Sequence, residues 1–395
     1  MKQYKLAEGT IDVKDYQIMI DFLKKKKTLT QSLNTKKFEK KFSEYLGRKY
    51  SVFVNSGSSA NLLIAQTLLE GNFLKNKIAI LPAVSWSTTV SPFLQLGYKV
   101  VLCDCDSVNL GLDINQLEKI CKKYKPGLVV VVNVLGHSNN FKEINRIQKK
   151  YKFKIMEDNC ESMGSKKQNK KLGCHGISSS HSFYYGHHIS TIEGGVISTD
   201  NNKFYNIALA IRSHGWARDV ENNFKNYLEK KFNIDEFKSL YTFYFSGLNI
   251  RSTDFNAELG LNQIKKIDKI SLKRYNNFNY YKKRLSNFWS QKSDLSLISS
   301  FGYATFVKNR LEVFKYLRSK NIQSRPLICG NMNRQPFIQK KKLAKVNLMN
   351  SEFVDTHGLY LPNHANLTFK DVDFICQTFL KIAKPIFFNK SFNEK

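Results

Sequence analysis

Residues 183–195 read Phe-Tyr-Tyr-Gly-His-His-Ile-Ser-Thr-Ile-Glu-Gly-Gly. The stretch lies between two apolar runs, residues 177–185 and 196–199, which are each typical of a buried strand. Paired histidines and paired glycines between two strands indicate a functional site rather than hydrophobic core. The runs on either side therefore point to the fold, and the loop between them points to the chemistry.

Strand-like runs recur along the first half of the chain, and helical patterns such as residues 114–124 and 141–151 lie between many of them. Continuous apolar strands that alternate with helices indicate a mostly parallel sheet covered on both faces. We therefore expect an α/β fold with a sheet of roughly seven strands. The runs are residues 51–54, 78–81, 100–103, 128–134, 153–156, 180–184 and 196–198.

The strand–helix rhythm fades after residue 209, which indicates a second, smaller unit. Residues 253–270 and 274–285 have the apolar spacing of two long helices, and the remainder is typical of an α+β domain. We divide the chain into an N-terminal arm with a large domain, residues 1–255, and a small C-terminal domain, residues 256–395.

Composition bounds the partners and the compartment. The net charge of +31, from 63 Lys+Arg against 32 Asp+Glu, favours anionic ligands such as nucleotides, but the lysines are scattered and predict no nucleic-acid partner. No apolar run approaches the 18 or so residues of a membrane span, so no membrane insertion is expected. Seven cysteines without a CxxC pair, and no apolar leader in residues 1–16, predict a reducing, cytoplasmic location.

Two strand ends carry candidate binding residues: a turn of small polar residues that suits an anion, and a tryptophan. After the strand at 51–54, the turn Asn-Ser-Gly-Ser-Ser-Ala-Asn opens a helix at residues 55–61, whose free N–H groups could bind a phosphate. Helix capping by Ser58 explains the turn equally well. Trp86 follows the next strand, where it could equally be a core residue.

A third strand, residues 153–156, is followed by the acidic segment Glu-Asp-Asn-Cys-Glu-Ser at 157–162. These motifs and the loop at 183–195 resemble the DegT/DnrJ type of nucleotide-sugar aminotransferases, which use pyridoxal phosphate (PLP). The family pattern Ser-Phe-x-x-x-Lys-x-Ile-x-x-x-Glu-Gly-Gly aligns with residues 182–195, and His187 stands where the family has its cofactor-binding lysine. The resemblance covers about residues 29–362.

The resemblance implies an aspartate-aminotransferase-like PLP fold and a homodimer with shared active sites. In that family Gly57, Ser58 and Ser182 would hold the cofactor phosphate, and Asn249 would reach it across the dimer interface. Seven residues are thus implied to bind the cofactor: Gly57, Ser58, Trp86, Asp158, Glu161, Ser182 and Asn249.

Three of the seven have roles at the cofactor ring. Trp86 would stack on the ring, and Glu161 would lie near the ring hydroxyl. Asp158 would keep the ring nitrogen protonated, which PLP needs to act as an electron sink.

The histidine at 187 marks one branch of the family, the nucleotide-sugar 3-dehydratases. Imidazole cannot form the covalent bond that lysine forms, but it can act as an acid or base because its ordinary pKa is near 6.5. The stretches 187–195, 212–219 and 251–254 are most similar to the GDP-4-keto-6-deoxy-D-mannose 3-dehydratase type. The lysines at 166, 167, 170 and 171 are typical of a solvated hairpin and are not expected to replace the missing one.

This branch implies a lyase that removes the C3 hydroxyl of a nucleotide-linked 4-keto-6-deoxy sugar. Pyridoxamine phosphate (PMP), formed from PLP with L-glutamate as amino donor, would act on a GDP-linked sugar and give a 4-keto-3,6-dideoxy sugar, ammonia and 2-oxoglutarate. The catalytic acid–base would be His187. His214, Arg218 and Arg251 would bind substrate, with Arg325 a weaker candidate; ion pairs explain each arginine equally well.

Three different functions remain open from the sequence. A CDP-4-keto-6-deoxyglucose 3-dehydratase would add an iron–sulfur cluster, yet residues 217–227 contain none of the cysteines expected there, so we predict no cluster. Residues 330–336 nevertheless look at least as much like that CDP branch. The second function is that of a 4-aminotransferase that uses an unforeseen lysine, and the third is that of a catalytically silent regulatory protein.

Overall fold

The computed structural model describes residues 2–341 and 343–388, and seven of its strands form one large sheet. All seven coincide with the apolar runs of the sequence to within a few residues. They are β1 (Tyr50–Val54), β2 (Ile78–Pro82), β3 (Lys99–Cys103), β4 (Leu128–Val132), β5 (Lys154–Asp158), β8 (Ser178–Ser182) and β9 (Gly195–Thr199).

The strand order in this sheet is β1-β9-β8-β5-β4-β2-β3. Strand β9 is antiparallel to both of its neighbours, and the other pairs are parallel. The inner strand β4 is buried throughout, as expected of a sheet that helices cover on both faces. The predicted seven-stranded, mostly parallel sheet is confirmed. Strands β6 (Lys166–Lys167) and β7 (Lys170–Lys171) form the lysine-rich hairpin expected from the sequence.

Helices connect and cover the strands. The helices that precede residue 250 are α1 (Val13–Lys24), α2 (Leu33–Leu46), α3 (Gly57–Glu70), α4 (Ser87–Gln95), α5 (Ile114–Tyr124), α6 (Phe141–Tyr151), α7 (Asn202–Arg212), α8 (Asn222–Phe232) and α9 (Glu236–Ser239). None of the helices in the part of the chain that the structure describes combines the length and apolar character needed to cross a bilayer.

The C-terminal part contains a small sheet with strand order β10-β12-β11. Its elements are α10 (Asp254–Gln263), α11 (Ile267–Arg284), β10 (Gly302–Phe306), α12 (Arg310–Ser319), β11 (Arg325–Pro326), α13 (Pro336–Gln339), α14 (Met349–His357), β12 (Gly358–Pro362) and α15 (Phe369–Leu380). This agrees with the expected α+β composition. The division at residue 255 stays a prediction, and residues 342 and 389–395 of the small domain lie outside the described residues.

The predicted boundary between the two long helices is wrong. The break lies at Ile264–Lys266, a short 3₁₀ turn, and α11 then runs without interruption from residue 267 to 284. Gln263 and Ile267, on either side of the break, keep helical backbone angles, and no glycine or proline is present. The break is therefore a change of hydrogen-bond pattern, which leaves no residue-type signal in the sequence.

One buried carboxylate joins the start of α2 to the start of α10. Asp254 accepts hydrogen bonds from the backbone N–H groups of Ser32, Asn34 and Thr35 at 2.7, 3.0 and 2.9 Å, and from the Thr35 hydroxyl at 2.7 Å. These are the N–H groups that an α-helix leaves without intrahelical partners. The side chain of Ser32 makes no capping bond, so the distant Asp254 caps α2 in its place.

Asp254→Ala should destabilise the fold by about 3 kcal/mol, because it leaves several buried N–H groups without an acceptor. Urea unfolding followed by circular dichroism measures the loss. Asp21→Ala removes an exposed carboxylate from α1 and is the matched control. Equal stability of the two variants would contradict the capping role.

Candidate active site

A cavity of about 590 Å³ opens at the edge of the large sheet where β1, β5 and β8 end. Ligands of α/β proteins bind at this edge because the carboxyl ends of parallel strands meet there. The cavity is lined by residues 5–7, 56–58, 61, 86, 88, 89, 132, 158, 160, 161, 182, 184–187, 193, 301, 323, 325, 326, 328 and 360.

The floor of the cavity is the start of α3. Ser56 caps this 14-residue helix by accepting from the Ser59 N–H, so the capping role considered for Ser58 belongs to Ser56. Ser58 instead bonds through its hydroxyl to Thr88 at 2.9 Å. A Cβ atom at Gly57 would lie 2.6 Å from Cβ of Ser182, so only glycine lets the backbone come this close. The helix start thus presents free N–H groups beside two hydroxyls, a geometry that suits a phosphate.

Asp158 lies at the centre of the cavity wall, at the carboxyl end of β5. It is 5% exposed, and its Oδ2 accepts from Asn61 Nδ2 and from the Thr89 hydroxyl, both at 2.8 Å. The Ser180 hydroxyl in turn donates to Asn61 Oδ1 at 2.6 Å. The carboxylate is therefore held in one position by side chains from α3, α4 and, through Asn61, β8. Such an arrangement suits a fixed partner for a cationic ring nitrogen.

Two more of the predicted cofactor residues border this cavity. Trp86 precedes α4 and keeps 54% of its surface exposed, so it is not a core residue. Glu161 accepts from the Leu135 N–H at 3.0 Å, and burial raises its pKa to about 7. Glu161 thus holds a proton up to near neutral pH, unlike an ordinary carboxyl group.

The loop between β8 and β9 separates the two adjacent histidines. His187 lines the cavity. His188 does not line the cavity and is fully buried, with its Nε2 2.8 Å from the carbonyl oxygen of Ser299. This divergence is the one expected of neighbouring side chains, and it leaves His187 as the imidazole of the cavity.

His187 is neutral at physiological pH. Burial lowers its pKa to about 4, against smaller raising effects of the Cys160 carbonyl and the Asp158 charge. Its Nδ1 is buried and has no hydrogen-bond partner among the described residues. The ring lies against Phe301, with centroids 5.1 Å apart. A neutral imidazole that lines the cavity is chemically able to accept a proton from a bound ligand.

The sequence matches the DegT/DnrJ/EryC1/StrS aminotransferase family over residues 10–380. The chain belongs to this family. GDP-4-keto-6-deoxy-D-mannose 3-dehydratase of Yersinia pseudotuberculosis is 34% identical over 384 residues, which cover 92% of this chain and 95% of that one. Lipopolysaccharide biosynthesis protein RfbH of Salmonella typhimurium is 29% identical over 370 residues, covering 87% and 83%.

Solved structures of dehydratases that are similar in sequence also share the fold of this chain. A mutant of GDP-4-keto-6-deoxymannose-3-dehydratase (ColD) with bound GDP-perosamine has a TM-score of 0.86 at 32% identity, covering 95% of this chain and 100% of the other. The E. coli enzyme with bound hydrated PLP has a TM-score of 0.87 at 32% identity, covering 96% and 100%. The aminotransferase-type fold expected from the DegT/DnrJ resemblance is confirmed.

Four of the predicted residues lie away from this cavity. Asn249, His214 and Arg218 are exposed, and Arg251 is partly exposed. Arg218 lies 5.6 Å from the Trp216 ring, and Arg251 donates to Asn249 Oδ1 at 3.1 Å. None of the four lines the cavity of its own chain, so their roles toward cofactor and substrate stay predictions.

Several cavity residues were missed from the sequence. The N-terminal segment 5–7 lines the cavity without any motif that marks it. Arg325, the weaker substrate candidate, does line the cavity. Asn61 and Thr89, which fix Asp158, lie close to the motifs of this family at Gly57 and Trp86, so inspection of the helix that follows each motif could have found them. Among the described residues, no group of three or more His, Cys, Asp and Glu side chains is placed to hold a metal ion.

The raised pKa of Glu161 predicts a pH dependence of stability for the cofactor-free protein. The folded state keeps the Glu161 proton up to about pH 7, whereas an ordinary glutamate loses it near 4.5. The contribution of Glu161 to the unfolding free energy should therefore fall, by on the order of 3 kcal/mol, as pH rises between these values.

Urea unfolding of the wild type and Glu161→Gln across this range measures the effect. The unfolding free energy of the wild type minus that of the variant should decrease from pH 4.5 to 7 and then level off. Glu236→Gln, at an exposed carboxylate, is the control and should give a flat difference. A flat difference for Glu161→Gln as well would contradict the raised pKa.

Proposed function

We propose that this protein is a PLP-dependent lyase that removes the C3 hydroxyl group of GDP-4-keto-6-deoxy-D-mannose. The products are a GDP-linked 4-keto-3,6-dideoxy sugar and ammonia, and L-glutamate is the amino donor and leaves as 2-oxoglutarate. The observation that carries the proposal is the cavity wall itself: His187, which cannot bond covalently to the cofactor, stands in the family's lysine position and faces the same cavity as Asp158.

The residues present fit PLP. The start of α3 offers N–H groups, and the Ser58 and Ser182 hydroxyls lie beside the closely approached Gly57, which suits the phosphate. Asp158, fixed by Asn61 and Thr89, suits a protonated ring nitrogen. Trp86 is exposed at the cavity and can cover one ring face.

When bound in its amine form, the cofactor supplies an electron sink that lets a hydroxyl group leave the neighbouring sugar carbon. The chain supplies the proton transfers. The neutral imidazole of His187 accepts a proton at a ring nitrogen and can return it to the departing oxygen. General acid–base help of this kind contributes roughly 10²–10⁴-fold to a rate. Glu161, with its pKa near 7, holds a second proton within the same cavity.

A homodimer with shared active sites is part of the proposal. Two short antiparallel bridges, Ser213 with Asn249 and Trp216 with Phe243, bring the segments that carry the four remote candidates together on one surface. Exposed aromatic side chains lie on the same segment, with Phe237 84% and Tyr241 77% exposed. A surface with this much exposed aromatic area is typical of an interface. A second copy docked on this surface would bring its cavity close to four residues of the first copy: His214, Arg218, Asn249 and Arg251.

The proposal that the substrate carries GDP rests on two relatives that are named as GDP-4-keto-6-deoxy-D-mannose 3-dehydratases. The arginines and His214 of the exposed surface would bind its diphosphate and sugar. An aminotransferase would require a lysine in the cavity, and Lys5 does line it, although the hairpin lysines do not. The two functions therefore differ in whether the wild-type chain bonds covalently to the cofactor.

His187→Lys should allow a covalent bond between PLP and residue 187. Borohydride reduction of the PLP-loaded variant, followed by peptide mapping, should find the cofactor attached at that position, and the wild type treated identically should carry it on no residue. Cofactor attached to Lys5 of the wild type would contradict the dehydratase and favour the aminotransferase.

His187→Asn should lose dehydration by about 10²-fold or more, because the amide keeps some hydrogen bonding but takes no proton near neutral pH. Single-turnover reaction of the protein preloaded with PMP measures this step apart from the glutamate reaction. PLP binding, followed by absorbance, should persist because Gly57, Ser58 and Asp158 are untouched. His188→Asn is the matched control, since His188 contacts Ser299 outside the cavity. If only the control lost activity, the base would be His188.

A further inference from the structure

The N-terminal segment adds a strand to the edge of the small sheet. The Tyr4 N–H donates to the carbonyl oxygen of Asn321 at 2.8 Å, and the Gln323 N–H donates to the carbonyl oxygen of Tyr4 at 2.9 Å, which is parallel pairing. The Leu6 N–H donates to Gln323 Oε1 at 3.1 Å. Residues 321–326 thus lie between this added strand and β12.

The pairing places three polar side chains on one face. Side chains alternate along a strand, so Gln323 and Arg325 share a face that Ser324 does not. In a parallel pair with Tyr4 opposite Ile322, Lys5 lies opposite Gln323 and shares the same face. Lys5, Gln323 and Arg325 all line the cavity, and Ser324 does not.

Within residues 2–341 and 343–388, the lysine and arginine side chains that line the cavity are Lys5 and Arg325. No carboxylate of these residues lies within 4.0 Å of either one. Elsewhere the chain does pair such groups; Lys2, three residues before Lys5, lies 2.5 Å from Asp371. Two free positive charges facing a cavity that also holds Asp158, Glu161 and Glu193 indicate an anionic ligand at that wall.

We propose that Lys5 and Arg325 form a subsite for the carboxylate groups of the amino donor. The inference rests on the proposed function and adds a determinant of donor specificity to it. L-Glutamate carries two carboxylates and must react inside the cavity, next to His187. The start of α3 supplies the separate site for the cofactor phosphate, and in the proposed dimer the arginines assigned to the substrate diphosphate come from the second copy. Lys5 and Arg325 are supplied by the same chain as His187, so the anion that falls to them is the donor.

The two cations differ in what they supply. Arg325 presents a planar fork that can bind one carboxylate with two parallel hydrogen bonds. Lys5 is a point charge on a flexible stem, so it can follow a donor as it enters and leaves. Because Lys5 is delivered by an edge strand, the N-terminal segment takes part in donor binding. The same segment lies against the loop that carries His187, where Ala7 is close to Gly186.

Calorimetric titration of the PLP-loaded protein with glutarate tests the subsite without any reaction, since glutarate keeps both carboxylates and lacks the amine. Lys5→Gln should weaken glutarate binding about tenfold, the loss typical of one charge-assisted hydrogen bond, and Lys5→Arg should stay within about threefold of the wild type. Lys320→Gln is the matched control, because Lys320 is exposed beside the same strand pair and does not line the cavity. GDP affinity should be unchanged in all three variants.

Three outcomes would overturn the subsite. Lys5→Gln could bind glutarate as tightly as the wild type, or the wild type could bind no glutarate at all. Lys5→Gln could also lose affinity for GDP instead of glutarate, which would assign the cations to the diphosphate. The KM for glutamate should rise in Lys5→Gln and stay at the wild-type value in Lys320→Gln. If the wild type binds glutarate through Lys5 but never reacts with glutamate, the proposed function fails and the subsite stands.

Discussion

The carboxylate of Asp158 is the constraint on which the site depends. It is buried at the end of β5 and keeps its place only because Asn61, Thr89 and, through Asn61, Ser180 supply hydrogen bonds. A buried carboxylate without partners would be costly, so these bonds and the burial require each other. The network also sets the positions of α3 and α4 relative to the sheet. The positions of Gly57, proposed for the cofactor phosphate, and of Trp86, proposed for the ring face, therefore depend on the residue that would meet the ring nitrogen.

On this fixed frame a single side chain changes the chemistry. The loop after β8 holds one imidazole in the cavity and buries the next against Ser299. With a histidine rather than a lysine, position 187 can offer proton transfer but no covalent bond to the cofactor. Burial keeps the imidazole neutral, with its pKa near 4, which suits a group that must first accept a proton. The relatives that are named as dehydratases, together with the histidine in the cavity, are consistent with elimination rather than amino transfer.

The sequence predicts most of the large sheet because each strand is a continuous apolar run, and it predicts much of the site because the motifs stand directly at strand ends. Gly57, Trp86, Asp158, Glu161, Ser182 and His187 all line the cavity. The sequence does not predict two other features, for different reasons. The helix break at residues 264–266 has no glycine or proline to mark it. Lys5 reaches the cavity through pairing with residues 321–323, more than 300 residues away in the chain, and no local pattern indicates such a contact.

The central claim is that this cavity removes oxygen from the sugar rather than adding nitrogen to it. Its most direct test is the structure of the product formed when the purified protein, PLP and L-glutamate are mixed with GDP-4-keto-6-deoxy-D-mannose, determined by nuclear magnetic resonance and mass spectrometry. The account predicts a GDP-linked keto sugar with a methylene group at C3, together with free ammonia and 2-oxoglutarate. A stable 4-amino sugar that keeps its C3 hydroxyl would contradict it.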